Sequence, residues 1–410
     1  MSNKKKPEIL APAGSLEILK TAVIYGADAV YIGGEAYGLR AAAHNFDTEE
    51  MREGITFAHE RGALVFVTAN IYAHNPDLDG VREYFRELKK LKPDAVLIAD
   101  PGVLSIAKEI IPEIPVHIST QSNNVNYETF KFWHSLGAER VVTGRELSLE
   151  EIRQIRENVP EELEIETFAH GAMCMSYSGR CLMSNYMTGR DANKGACTHP
   201  CRWSYSLVEE QRPGEYMPVF ENERGTFIFN SKDLCMIEHI PELVGAGVDS
   251  LKIEGRMKTA LYVATVVRAY RKALDMYFES EDQYRAHMPY FMREVESSSR
   301  RKYCTGFFFG QAGEESMYYE AERVAPMTYM GTVEAVRDGC AVITQKNKFS
   351  VGDSLELMKP TGENIIVNVE SIMDEDGNEM ESCPHPKQRL LVRFAGDVEV
   401  EEYDILRREE

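Results

Sequence analysis

Short apolar runs alternate with amphipathic helical stretches through the first two-thirds of the chain. Glu8-Ile9-Leu10-Ala11 reads as a strand, turned by Pro12-Ala13-Gly14-Ser15, and Ser15 is placed to cap a helix from Leu16 to about Tyr25. Further strands are expected at 28–33, 63–69, 95–99, 115–119, 140–143 and 163–168, and helices near 48–61, 81–91, 103–111, 127–136 and 149–158. An eighth strand is expected at 249–253, between a helix at 234–243 and a long one from Thr259 to about Tyr277. The strand runs are short and apolar throughout, the pattern of a parallel sheet covered by helices. Eight such units predict an α/β fold, a (β/α)8 TIM-like barrel over residues 1–280. A doubly wound open sheet is the alternative. The sequence has neither the Gly-x-Gly-x-x-Gly turn nor the P-loop that such a fold often carries.

The alternation breaks between strands seven and eight. Residues 170–225 read as an insertion after the C-terminal end of strand seven, the end where barrels build active sites. Residues 281–327, charged and aromatic, read as a helical or irregular connector. From Thr328 the period changes to two, with runs at 329–336, 341–344, 354–357, 365–369 and 390–394 between turns such as Asp338-Gly339 and Asp376-Gly377. This predicts a small C-terminal all-β barrel domain over 328–410.

Composition narrows the class. No apolar run is long enough to cross a bilayer, and the basic start is not followed by an apolar signal core. A cytoplasmic protein with no membrane role is expected. The net charge of −20 argues against general coating of nucleic acid and leaves room only for a local basic patch. Of the eight cysteines, five fall between Cys174 and Cys235, while Cys304, Cys340 and Cys383 are isolated and read as ordinary thiols. Clustered cysteines in a cytosolic chain point to metal or redox chemistry rather than disulfides.

Four of them follow the spacing Cys174-x6-Cys181-x15-Cys197-x3-Cys201. Four thiolates serve a structural zinc ion or an iron–sulfur cluster. Zinc ribbons usually show two close knuckles, and only the second pair is close here, so the spacing fits a cluster better; zinc remains the runner-up. Arg180, Arg190, Lys194 and Arg202 supply nearby positive charge. Cys235 is a spare ligand or a core thiol.

At these residues the chain resembles the collagenase-like peptidase family. The resemblance is carried by Leu10-Ala11-Pro12-Ala13-Gly14-Ser15 with Gly26-Ala27-Asp28-Ala29-Val30-Tyr31-Ile32-Gly33, by Glu166-Thr167-Phe168-Ala169-His170-Gly171 leading into the cysteines, and by Ser250-Leu251-Lys252-Ile253-Glu254-Gly255-Arg256. With the barrel pattern and the β tail it covers nearly the whole chain. Within the family the likeness is greatest to the members that hydroxylate tRNA. It implies formation of 5-hydroxyuridine at the wobble position, with prephenate as co-substrate and a 4Fe-4S cluster. Cys174, Cys181 and Cys197 match the family's cluster positions; Cys201 is favoured as the fourth ligand, with Cys235 the alternative. It further implies tRNA as the partner, with a paralogous family member as a candidate hetero-partner. Some members are described as collagen proteases. Neither a His-Glu-x-x-His helix nor a Gly-x-Ser-x-Gly elbow is present, which leaves only a Cys174–His170 pair for that chemistry.

Other candidates follow from position. On strand eight, period two puts Lys252 and Glu254 on one face, continued by Arg256. Lys252 and Arg256 suit a dicarboxylate such as prephenate, unless they form buried ion pairs. His170, ending strand seven, is a candidate proton donor or substrate contact, or else a satisfied structural histidine. Asn70, Gln121 and Arg145 follow strands three, five and six and should face the mouth as substrate contacts. Tyr177, Tyr186, Trp203 and Tyr205 interleave with Arg180, Arg190 and Arg202, a composition that either stacks bases or roofs a cluster. Lys346, Asn347 and Lys348 are candidate phosphate contacts of the C-terminal domain.

Overall fold

The computed structural model describes residues 5–34, 45–174, 176, 178–203, 221–222, 225–226, 232–299, 301–310, 326–385 and 387–409. The chain opens with β1 (Glu8–Pro12), α1 (Leu16–Ile24), β2 (Ala29–Gly33), α2 (Thr48–His59), β3 (Leu64–Ala69), α3 (Leu78–Leu91) and β4 (Ala95–Ile98). It continues through α4 (Pro101–Ile110), β5 (Val116–Ile118), α5 (Tyr127–Ser135), β6 (Arg140–Val142), α6 (Leu149–Asn158) and β7 (Glu164–Gly171). Local chemistry starts these helices where the sequence says. Ser15 Oγ accepts from Ile18 N, and Asp47–Glu50 and Ser148–Glu151 form capping boxes on α2 and α6.

After β7 come α7 (Met183–Thr188), the short hairpin β8 (Glu221–Asn222) and β9 (Gly225–Thr226), β10 (Asp233–Cys235), α8 (Ile240–Gly245) and β11 (Ser250–Ile253). β11 pairs in parallel with both β1 and β7, which closes an eight-stranded parallel barrel. The closed barrel is as expected, and the doubly wound alternative falls away. The helix expected from Leu234 does not start there. Asp233–Cys235 is a strand antiparallel to the projecting end of β7, with Cys235 opposite His170. That end runs past the barrel rim, and β10 satisfies backbone groups that a helix would leave unpaired.

Alternate residues of the strands face inward. One half of the interior is apolar, with Leu10, Ala29, Tyr31, Phe66, Ala95 and Leu97 in one cluster. The other half is an ion network. Arg140 reaches Glu8 at 2.7 Å, Glu164 at 2.6 Å and Glu166 at 3.2 Å, and Lys252 reaches Glu166 at 2.6 Å. Burial raises the Glu8 carboxyl above its ordinary range, partly offset by Arg140.

α9 (Ala260–Glu279), α10 (Glu281–Ala286) and α11 (Met288–Ser297) lead to β12 (Tyr303–Cys304), which extends the sheet beside β10. The C-terminal part comprises β13 (Met327–Arg337), β14 (Cys340–Gln345), β15 (Ser354–Met358), β16 (Ile365–Met373), β17 (Glu379–Met380), β18 (Arg389–Phe394) and β19 (Ile405–Glu409). Six of these close into an antiparallel barrel in the order β15-β19-β13-β14-β18-β16. β19 was absent from the period-two reading although it closes this barrel. Its Arg407 reads as polar yet is buried, held by Glu294 of α11 at 2.9 Å and Glu356 at 2.6 Å. Arg268 of α9 also meets Glu294, at 2.8 Å, so the two barrels share a buried ion set. Among the described residues no helix is long and apolar enough to cross a membrane.

Candidate functional site

A cavity of about 150 Å³ opens at the C-terminal ends of the barrel strands. Lys252 rises from β11, with Glu254 and Arg256 just beyond it, and all three side chains line the cavity. Asn70, Gln121 and Arg145, from the loops after β3, β5 and β6, line it too. So do Cys174, Cys181, Cys197 and Cys201. The structure therefore brings the predicted thiols, cations and amides to one place.

The cysteine segment is fastened over the mouth. Thr120 donates its hydroxyl to Ser178 Oγ at 3.1 Å, and Ser178 donates to Glu146 at 3.3 Å. Tyr72 N donates to Asn193 O at 3.2 Å, and Lys194 pairs with Asp77 at 3.0 Å. Gly179 sits at φ +74 with no room for a side chain; a Cβ would lie 1.9 Å from Gln121 O. Only glycine meets both demands at low cost.

The cations are held differently. Lys252 is an ion pair with Glu166 and also faces the rings of Tyr31 and Phe168 at 4.6 and 5.6 Å. It thus belongs to the buried network and to the cavity floor at once. Arg256 is buried, donates to Asn45 Oδ1 at 2.9 Å and packs on Gly33, where a Cβ would lie 2.4 Å from Nη2. Glu254 accepts from Tyr31 OH at 3.3 Å. Arg145 Nη1 donates to Cys174 Sγ at 3.3 Å, and His199 N donates to Cys197 Sγ at 3.4 Å. Asn70 Nδ2 donates to Ser119 Oγ at 3.1 Å.

Other expected site residues lie elsewhere. His170 does not line the cavity. A bulge in the β7–β11 pairing, where Lys252 faces Phe168 but Ile253 faces His170, inserts Ala169 and turns His170 to the helix side. There it is fully buried beside Tyr262, Tyr270 and Tyr303, with Nε2 3.1 Å from Tyr303 OH, and burial takes it down to about 3. A buried neutral ring facing away from the mouth is no proton donor to a ligand in the cavity and makes no pair with Cys174. Cys235 is a core thiol beside Tyr270, pushed up to about 12 by burial, and does not line the cavity. Arg180 is exposed and likewise outside the cavity lining. Lys346 pairs with Glu17 at 2.9 Å, and Asn347 donates to Tyr329 O at 2.8 Å, so both are engaged between the barrels or within the small one. The Arg202 side chain, Tyr177 and Tyr205 lie outside the described residues.

Tyr31, Phe168 and Glu166 were missed. The first two line the cavity and the third holds Lys252. Period two along β2 and β7 carries that signal, because inward positions are legible once a barrel is expected.

All four thiols line one cavity and two of them already accept N–H donors, so the donor set has the chemistry that a thiolate-bound cluster requires. Among the described residues no three His, Cys, Asp or Glu side chains are arranged to hold a metal ion.

Comparison with known proteins places most of the chain. Residues 14–318 match the model for Peptidase family U32, and residues 326–407 match that for the Peptidase family U32 C-terminal domain. The chain belongs to peptidase family U32. This U32 chain is 42% identical over 407 residues to tRNA hydroxylation protein P1 of Bacillus subtilis, covering 98% of this chain and 95% of that one. It is 42% identical over 319 residues to a U32 relative of Methanocaldococcus jannaschii named as an uncharacterized protease, covering 77% and 76% of the two chains. It is 37% identical over 272 residues to a 23S rRNA 5-hydroxycytidine synthase of Escherichia coli, covering 66% of this chain and 40% of that one.

Proposed function

We propose that the protein hydroxylates C5 of the wobble uridine in tRNA, with prephenate as co-substrate and a 4Fe-4S cluster on Cys174, Cys181, Cys197 and Cys201. The observation that carries this reading is the single cavity in which those thiols meet Arg145, Lys252 and Arg256. U32 relatives named for hydroxylation of tRNA and of a pyrimidine in rRNA support the reaction class.

Replacing C5–H by C5–OH puts one oxygen atom into the base and removes two electrons from it, so on this reading the co-substrate prephenate gives up a hydroxyl oxygen and takes up the electron pair, R–OH plus C5–H giving R–H plus C5–OH. A thiolate-bound cluster, when present, supplies one-electron transfer. The chain's own residues bind and orient. Lys252 and Arg256 offer charge-assisted hydrogen bonds to a dicarboxylate, and Glu254 repels a carboxylate from its own side of the cavity. Asn70 and Gln121 bring amides, which carry both donors and acceptors for a pyrimidine edge. The outer side of the segment roofing the mouth shows Tyr186 at 90% exposure with Arg180 and Arg190 also exposed, a composition that stacks on unpaired bases and contacts phosphates. With a net charge of −20 the RNA contact is local and salt-dependent.

A peptidase mechanism has no comparable support, because Arg145 donates to Cys174 and His170, its expected partner, is buried outside the cavity lining. The deciding experiment is nucleoside analysis of tRNA from a strain lacking the protein, complemented with the wild type or with Cys174→Ala. The expected result is 5-hydroxyuridine-type nucleosides restored by the wild type and absent with Cys174→Ala. Equal restoration by both overturns the proposal, and so does gelatin cleavage that disappears with Cys174→Ala while the nucleosides stay unchanged.

A further inference from the structure

We propose that Arg145 is a positioning residue which, together with Glu254, sets the reduction potential of a cluster held on Cys174. The inference rests on the cluster reading above and deepens it.

Arg145 lies on the loop after β6 with its side chain 9% exposed. Nη1 donates to Cys174 Sγ at 3.3 Å, while Nη2 lies 3.8 Å from Glu254 Oε2. The guanidinium carbon is 3.9 Å from the centroid of the Phe168 ring, so an aromatic surface backs it. One planar cation thus touches a sulfur of the roof segment and a carboxylate of the strand-eight motif.

The loop that carries Arg145 is fixed on both sides. Gly144 N donates to Asn124 O at 2.9 Å, and Asn124 is itself buried and donates to Ser119 O and Val142 O. Glu146 accepts from Asn123 Nδ2 at 2.7 Å and from Ser178 Oγ at 3.3 Å. The loop and the cysteine segment are therefore one fastened unit, and Arg145 meets Cys174 in a set geometry.

Reduction adds one electron and one negative charge to a cluster. A cationic donor to a ligating sulfur stabilises the reduced form more than the oxidised one, and a nearby carboxylate does the opposite. The Arg145 and Glu254 side chains are largely buried, which limits solvent screening on their side, while Cys174 itself is exposed. Arg145 raises the potential and Glu254 moderates it.

The test is anaerobic spectroelectrochemical titration of the loaded wild type, Arg145→Gln, Arg145→Lys and Glu254→Gln, each with iron and sulfide content measured. The midpoint is expected to fall in Arg145→Gln and to rise in Glu254→Gln. In Arg145→Lys it should stay nearer the wild type, since charge is kept and the fork is lost. A purely structural arginine changes cluster content without moving the midpoint, so unchanged midpoints in both glutamine variants at full loading overturn the inference. If Arg145→Gln does not load, Glu254→Gln decides alone: a rise supports the inference and no change overturns it. A wild type that takes up no iron and sulfide removes the cluster reading and this inference together, whereas a loaded wild type insensitive to both substitutions overturns only the inference.

Discussion

Glu166 accepts Lys252 Nζ at 2.6 Å on one oxygen and Arg140 Nη1 at 3.2 Å on the other, with its side chain wholly inside the barrel. This carboxylate joins the cavity floor to the ion network below. Removing one partner from such a set leaves uncompensated buried charge. Glu166→Gln is expected to cost about 3–5 kcal/mol of unfolding free energy, read from urea midpoints. Lys252→Met leaves Glu166 paired with Arg140 and should cost less. The reverse order contradicts the network.

His170 gives the protein an acid limb. Its ring is held at about 3 by burial, while in the unfolded chain it titrates near the ordinary histidine value of about 6.5. Between those values the unfolded state binds the extra proton. Stability is therefore full above about pH 6.5 and falls with pH toward 3, by up to about 1.4 kcal/mol per unit. His170→Phe should flatten that fall relative to the wild type in melting curves taken from pH 7 to pH 4. Parallel curves contradict the assignment.

Gly179→Ala tests the fastening of the roof. The new methyl meets Gln121 O, and the backbone is already left-handed. The expected outcome is loss of bound iron after anaerobic reconstitution with the barrel's main thermal transition within a few degrees of wild type. Full iron retention shows that the segment adapts.

The thiols should separate cleanly. Cys181→Ala is expected to lose most bound iron, because Cys181 lines the cavity. Cys235→Ala is expected to keep it, because that thiol packs behind β7 beside Tyr270. Iron and sulfide analysis of the two variants decides, and iron loss in both returns Cys235 to the ligand set.

Much of this molecule is written locally. The eight barrel strands fall within a residue or two of the expected runs, apart from the longer β7, because alternation of apolar strands and capped helices depends only on neighbours in the chain. The positions of Asn70, Gln121, Arg145, Lys252, Glu254 and Arg256 at one mouth follow from strand ends in a parallel barrel. The thiol spacing and its likeness to a family were equally legible. Three features were not. A one-residue bulge at Ala169 sent His170 away from the cavity, and a bulge is a property of two paired strands. The contact of Arg145 with Cys174 joins residues from separate loops over the mouth, and neither loop encodes the other. β19 escaped notice because its Arg407 is buried against Glu294, a partner 113 residues away. Sequence determined which elements form and which chemistry they carry to the rim, through periodicity and capping. Tertiary structure decided which face each side chain takes and what it meets, because register and long-range charge pairing arise only when distant segments are packed together.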